Sequence, residues 1–146
     1  MNPKITDWRG RRVWLVGASS GIGAALAQHL AGLGARLALT ARSADRLAGL
    51  DIGDADALIL PCDATDAAAL AAARDSLVAA WQGVDLVIYL AGDYVPMTAA
   101  SFDLAVAERV VAVNFGGAMR LAACVLGDLQ PGGGIAFVAS VAGYRG

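Results

Sequence analysis

The chain has 146 residues, of which 58% are hydrophobic and 16% charged, and it carries a net charge of −2 at pH 7. That length suits one domain, residues 1–146, with a buried core, and the apolar content excludes a disordered segment. An acidic balance, with a pI near 5.1, gives no electrostatic case for nucleic acid. The start, Met1-Asn2-Pro3-Lys4, lacks a signal-peptide core, and every apolar stretch of membrane-spanning length has polar or charged interruptions, so no membrane partner is expected. Cys62 and Cys124 stand apart and His29 is the only histidine. No metal-ligand set follows, and a reduced, cytoplasmic setting is expected.

Strand-like and helix-like segments take turns along the chain. Arg9, Arg11 and Arg12 read as a solvated basic approach to a first strand, Val13–Val16. Ile22, Leu26, Leu30 and Leu33 then recur at helical spacing until Gly34 stops the helix. Leu37–Thr40 is a second strand, and Ser43 can cap a short helix that presents Leu47 and Leu50. Leu58–Leu60 makes a third strand. Asp66 can cap the next helix, with Leu70, Leu77, Val78 and Trp81 as its apolar stripe. Val84–Leu90 is a fourth strand, broken by Ala91-Gly92, and a long helical region runs from about Ser101 to Leu126. Pro131-Gly132-Gly133-Gly134 reads as a turn before a fifth strand, Ile135–Ala139. Alternation of this kind, with near-continuous apolar strands, predicts an α/β fold: a parallel sheet covered by helices on both sides.

The densest signal lies between the first strand and the first helix, in Gly17-Ala-Ser-Ser-Gly-Ile-Gly. A strand that feeds a tight glycine turn into a helix start exposes backbone N–H groups beside a partial positive charge. A pyrophosphate can sit there without a basic side chain. Gly17 turns the chain, Gly21 lets a ligand approach the backbone, and Gly23 lets helix and strand pack closely. Ser19 and Ser20 are either phosphate contacts or turn formers. The spacing is G-x-x-x-G-x-G rather than the general G-x-G-x-x-G, and a nucleotide-phosphate site near the N-terminus is the reading.

With these residues in view the sequence resembles the short-chain dehydrogenase/reductase family over nearly its whole length. Gly17 to Gly23, with Ile22 inside the turn, looks like that family's cofactor turn. Cys62-Asp63-Ala64-Thr65 resembles its segment after the third strand, which implies contact of Asp63 and Ala64 with the adenine side; helix capping is the other reading of Asp63. Ala91-Gly92 matches the end of the family's Asn-Asn-Ala-Gly. Asn114, in Val-Asn-Phe-Gly-Gly, resembles the asparagine of the long fourth helix, and Ser140, in Val-Ala-Ser-Val-Ala-Gly, looks like the active-site serine. Asn114 read without the family is a buried amide, and Ser140 a turn hydroxyl. The resemblance implies a Rossmann-type doubly wound sheet in the order 3-2-1-4-5 and hydride exchange between a nicotinamide and a carbonyl or alcohol. It also implies a homodimer or homotetramer in the complete form.

Cofactor choice turns on the end of the second strand. Relatives that prefer NAD place an acid there to bond the ribose hydroxyls. This chain has Ala41 followed by Arg42, and a guanidinium pairs with a 2′-phosphate that a carboxylate would repel. NADP is therefore expected over NAD, with a helix-entry charge as the alternative role of Arg42. Two departures stand out. Tyr89 and Leu90 occupy the place of the family's paired asparagines, which puts that segment's structural hydrogen bond in question. The family's Tyr-x-x-x-Lys follows the serine by about a dozen residues, and these 146 residues contain none; Tyr144 is too close to Ser140 to replace it. Two family strands and a helix are also missing. The 146 residues alone are accordingly expected to bind a nucleotide without turning over. A short non-catalytic dinucleotide module or sensor is the alternative. A nucleotide-sugar epimerase or dehydratase is disfavoured, since its relatives tend to carry G-x-x-G-x-x-G.

Overall fold

The computed structural model describes residues 5–141. Five strands form one parallel sheet among these residues: β1 (Arg12–Val16), β2 (Arg36–Thr40), β3 (Ala57–Ile59), β4 (Val84–Tyr89) and β5 (Leu129–Phe137). Their order is β3-β2-β1-β4-β5, so the order reverses beside β1, where ligands of such sheets bind. The strands read as unbroken apolar runs because both faces are covered, yet their side chains still alternate. Val13, Leu15, Leu37 and Leu39 pack on one face with Ala27 and Leu30 of α1 (Gly21–Gly32) and Leu47 of α2 (Ala44–Ala48). Trp14, Val16 and Ala38 face the other way. They meet Leu70, Leu77 and Trp81 of α3 (Ala67–Trp81) and Leu121 and Val125 of α5 (Ala118–Val125).

Both expected caps form. The Ser43 hydroxyl accepts the Arg46 backbone N–H at 3.3 Å, and the Asp66 carboxylate accepts those of Ala68 and Ala69 at 2.9 and 3.1 Å. The long helical region starts later than expected. Ala99–Ser101 is a separate 3₁₀ turn, and α4 (Leu104–Val111) begins at an Asp103 cap. A π-helical stretch, Ala112–Gly117, joins α4 to α5. By length and composition alone Leu104–Asp128 is apolar enough to cross a membrane, with a mean hydropathy of 1.6. In this fold it lays Leu121 and Val125 against the sheet.

Two expectations need correction. Pro131–Gly134 is not a turn ahead of the fifth strand but part of it. Val84 pairs with Leu129 and Leu86 with Gly134, so residues 130–133 bulge opposite Asp85 alone. Gly132 at φ +79° supplies the bend, which is why the segment reads as a turn locally. Arg12 is not a solvated residue. It opens β1 and donates to the Asp85 carboxylate through its backbone N–H, Nε and an Nη, at 2.9–3.0 Å.

Candidate active site

The carboxyl ends of β1, β2 and β4 meet at a knot of backbone bonds. Thr40 O accepts the N–H groups of Gly17 and Ala18 at 2.7 and 3.1 Å, and Val16 O accepts those of Leu90 and Ala91 at 2.7 and 2.9 Å. Gly17, at φ +98°, lies so close to the segment after β4 that a Cβ would overlap the Ala91 backbone. At Gly23 a Cβ would overlap the Gly17 carbonyl, so α1 packs onto the turn only with glycine there. Beside Gly21 there is open space.

Above this knot opens a cleft of about 730 Å³. Its lining gathers Gly17, Ser19, Ser20, Ile22, Gly23, Arg42, Asp63, Ala64, Ala91 and Gly92, which are ten of the eleven residues the sequence assigns to a cofactor. Gly21 is the exception and sits at the exposed start of α1. A second hollow, of about 590 Å³, lies between Gln28 and Asp56 and holds none of them.

Charge in the cleft is unevenly paired. Arg42 and Arg46 both line it, and neither has a carboxylate partner within ion-pair distance among the described residues. Arg109, from α4, lines it too but is held by Asp93 at 2.8 Å. That bond keeps the Asp93 carboxyl below its ordinary range. Asp63 accepts the Thr65 backbone N–H and hydroxyl, each at 2.8 Å, and these bonds likewise hold its carboxyl down. Asp63 thus shapes its own turn with one carboxylate oxygen. Burial pushes the Cys62 thiol up to about 11, so it lines the cleft without being a ready nucleophile.

Asn114 and Ser140 are placed differently. Asn114 lies in the π-helical stretch and spends its amide on Asp93, accepting the backbone N–H at 2.7 Å and donating to the carbonyl at 2.9 Å. One donor and one acceptor site remain on that amide. Ser140 is exposed, just beyond β5. Neither residue is among the described lining of the cleft. Tyr144 lies outside the described residues. Arg46 and Arg109 went unassigned in the sequence, whereas the loop that starts at Asp93 reads there either as a pocket wall or as a surface connection, and Asp93 lines the cleft. Arg46 follows Arg42 by four residues across the Ser43 cap, a spacing that could have flagged it; nothing local marks Arg109.

The profile of the short chain dehydrogenase family matches residues 11–146. The chain belongs to the short-chain dehydrogenase/reductase family. It is 31% identical over 156 residues to dehydrogenase/reductase SDR family member 7 of Mus musculus, covering 94% of this chain and 46% of that protein. It is 34% identical over 133 residues to D-threitol dehydrogenase of Mycolicibacterium smegmatis, covering 88% of this chain and 51% of that one. A short-chain dehydrogenase/reductase structure from Brucella melitensis, titled glucose/ribitol dehydrogenase, superposes with a TM-score of 0.92 at 27% identity, over 97% of this chain and 62% of that one. The chain spans about half the length of the curated relatives it matches. Members of this family bind NAD or NADP, and the cleft suits such a ligand. Ten of the eleven residues assigned to a cofactor line it, the space beside Gly21 is open, and Arg42 and Arg46 reach it without a carboxylate within ion-pair distance among the described residues.

Proposed function

We propose that the chain is the dinucleotide-binding part of an NADP-dependent oxidoreductase that interconverts a carbonyl and an alcohol. The observation that carries the cofactor choice is the pair Arg42 and Arg46, both at the cleft and without carboxylate partners among the described residues, next to Ala41 where NAD binding would use an acid. The glycine turn would hold the pyrophosphate on backbone N–H groups. Asp63 and Ala64 would face the adenine side, and Ala91 and Gly92 the wall beside β4. Bound nicotinamide supplies or accepts the hydride. Ser140 would donate a hydrogen bond to the carbonyl oxygen as negative charge grows there, and Asn114 would hold a water on its remaining amide sites. Relatives named as a D-threitol dehydrogenase and a fatty acyl-CoA reductase support the reaction type while differing in substrate. The protein would work in the cytoplasm as a homo-oligomer, with no membrane or nucleic-acid partner.

Titration with NADPH and NADH tests this. NADPH should bind the parent more tightly, and Arg42→Ala should lose about tenfold or more of that affinity, the scale of one charge-assisted phosphate contact. Equal affinity of the parent for the two cofactors would refute the assignment. A second reading is a dinucleotide-binding module without catalysis; the 146 residues contain no Tyr-x-x-x-Lys. Both readings predict no NADPH oxidation by this polypeptide over a panel of ketones and aldehydes, since these 146 residues contain no Tyr-x-x-x-Lys to supply the proton. They part on whether a longer native polypeptide, if one exists, turns over.

A further inference from the structure

A buried phenol stands at the end of β4. Tyr89 is 2% exposed, and its hydroxyl donates to the Val113 carbonyl at 2.6 Å. Val113 lies in the π-helical stretch Ala112–Gly117, where the regular helical ladder is broken and a carbonyl can take a side-chain partner. Gly117 makes room for the phenol: a Cβ there would overlap the Tyr89 hydroxyl and come within 3.1 Å of the Ala64 carbonyl. The next residue after Val113 is Asn114, whose amide holds both backbone groups of Asp93. Arg109 holds the Asp93 carboxylate from the preceding turn. The segment Ala91–Asp93 forms one wall of the cleft.

We propose that Tyr89 is a positioning residue of the dinucleotide cleft: through the Val113 carbonyl it fixes the turn from which Asn114 grips Asp93, and so sets the wall formed by Ala91, Gly92 and Asp93. The inference rests on the dinucleotide reading of the cleft. Removal of the hydroxyl leaves the Val113 carbonyl without its phenol partner. The widened turn can then close to ordinary helical spacing, which changes the angle between Arg109 and Asn114 about the helix axis. The two no longer meet Asp93 together.

Amide hydrogen exchange and NADPH titration on the parent and on Tyr89→Phe decide this. Exchange at the Asp93 amide should rise about tenfold relative to the Leu15 amide in the centre of β1, a local opening rather than a global one. NADPH affinity should fall roughly fivefold, the scale of one hydrogen bond. Gly117→Ala should reproduce both effects, because its methyl displaces the phenol. An unchanged Asp93 amide in folded Tyr89→Phe overturns the proposal, and so does an equal rise at Asp93 and Leu15. Should neither variant fold, the parent itself answers: a slowly exchanging Tyr89 hydroxyl proton with a cross-peak to Gly117 supports the proposal, and its absence overturns it. Failure of the parent to bind NADPH would count against the cleft reading, while the exchange comparison still decides whether Tyr89 holds Asp93 in place.

Discussion

Asp85 receives three hydrogen bonds from Arg12, and the same guanidinium donates to Trp81 O at 3.0 Å. Burial pushes the Asp85 carboxyl up, but the Arg12 bonds and charge outweigh it and leave the group below its ordinary value. A carboxylate depressed in the folded state adds stability that is full above its unfolded pKa, about 4, and fades as pH falls through the lower folded value. Asp85→Asn should therefore cost about 2 kcal/mol at neutral pH, the scale of charged hydrogen bonds, and flatten the acid side of the stability profile. Denaturant melts at a series of pH values check this, and an acid limb as steep as the parent's would contradict it. Gly23 is limited by space rather than charge. Gly23→Ala sets a methyl against the Gly17 carbonyl, so a loss of about 1–3 kcal/mol is expected, with loss of dinucleotide binding even where the fold survives by circular dichroism. The role of Gly23 was legible because glycine leaves a visible gap in an apolar pattern. Arg46 and Arg109 were not, because a surface arginine looks the same whether it serves a ligand or only water.

The elements divide by how local their causes are. Ser43 and Asp66 announce α2 and α3 because a cap is decided within three residues. Asp66→Ala should cost about 1 kcal/mol, read as a lower melting temperature with dinucleotide affinity unchanged. A loss of affinity alongside would mean that the cap also orders the Cys62–Thr65 turn. The bulge at residues 130–133 and the π-helical stretch escaped the sequence for a shared reason. Each is fixed by a neighbour distant in the chain: Gln130 donates to Gln82 O at 3.2 Å, and Tyr89 reaches Val113. Local residues such as Pro131 and Gly132 tell only that the chain bends, not that a partner strand runs beside the bend.

Across the whole molecule, Leu104, Val111, Phe115 and Met119 leave more than half of their surfaces exposed along the α4–α5 helix. Exposed apolar rows of this kind suit burial against another copy. We propose that this row takes part in self-association: sedimentation of the 146-residue chain should give a self-associated species that Phe115→Glu with Met119→Glu converts to monomer, and a monomeric parent would show that the row does not suffice by itself. A parallel sheet covered on both faces was legible from strand–helix alternation, whereas the strand order 3-2-1-4-5 came only with the family resemblance and is the order observed. Burial also sorts the tryptophans. Trp81 lies beneath the Arg36 guanidinium, 5.2 Å from its ring centroid. Trp14 is wholly buried, and its indole N–H donates to the Thr40 hydroxyl at 2.9 Å. Thr40 O is also the acceptor for Gly17 and Ala18. Light emitted by Trp14 therefore comes from a buried indole linked through Thr40 to the Gly17–Gly23 turn, and a reduced nicotinamide absorbs in the same band. Were a reduced nicotinamide to bind as proposed, its occupancy could be followed as dimming of this indole without any attached dye.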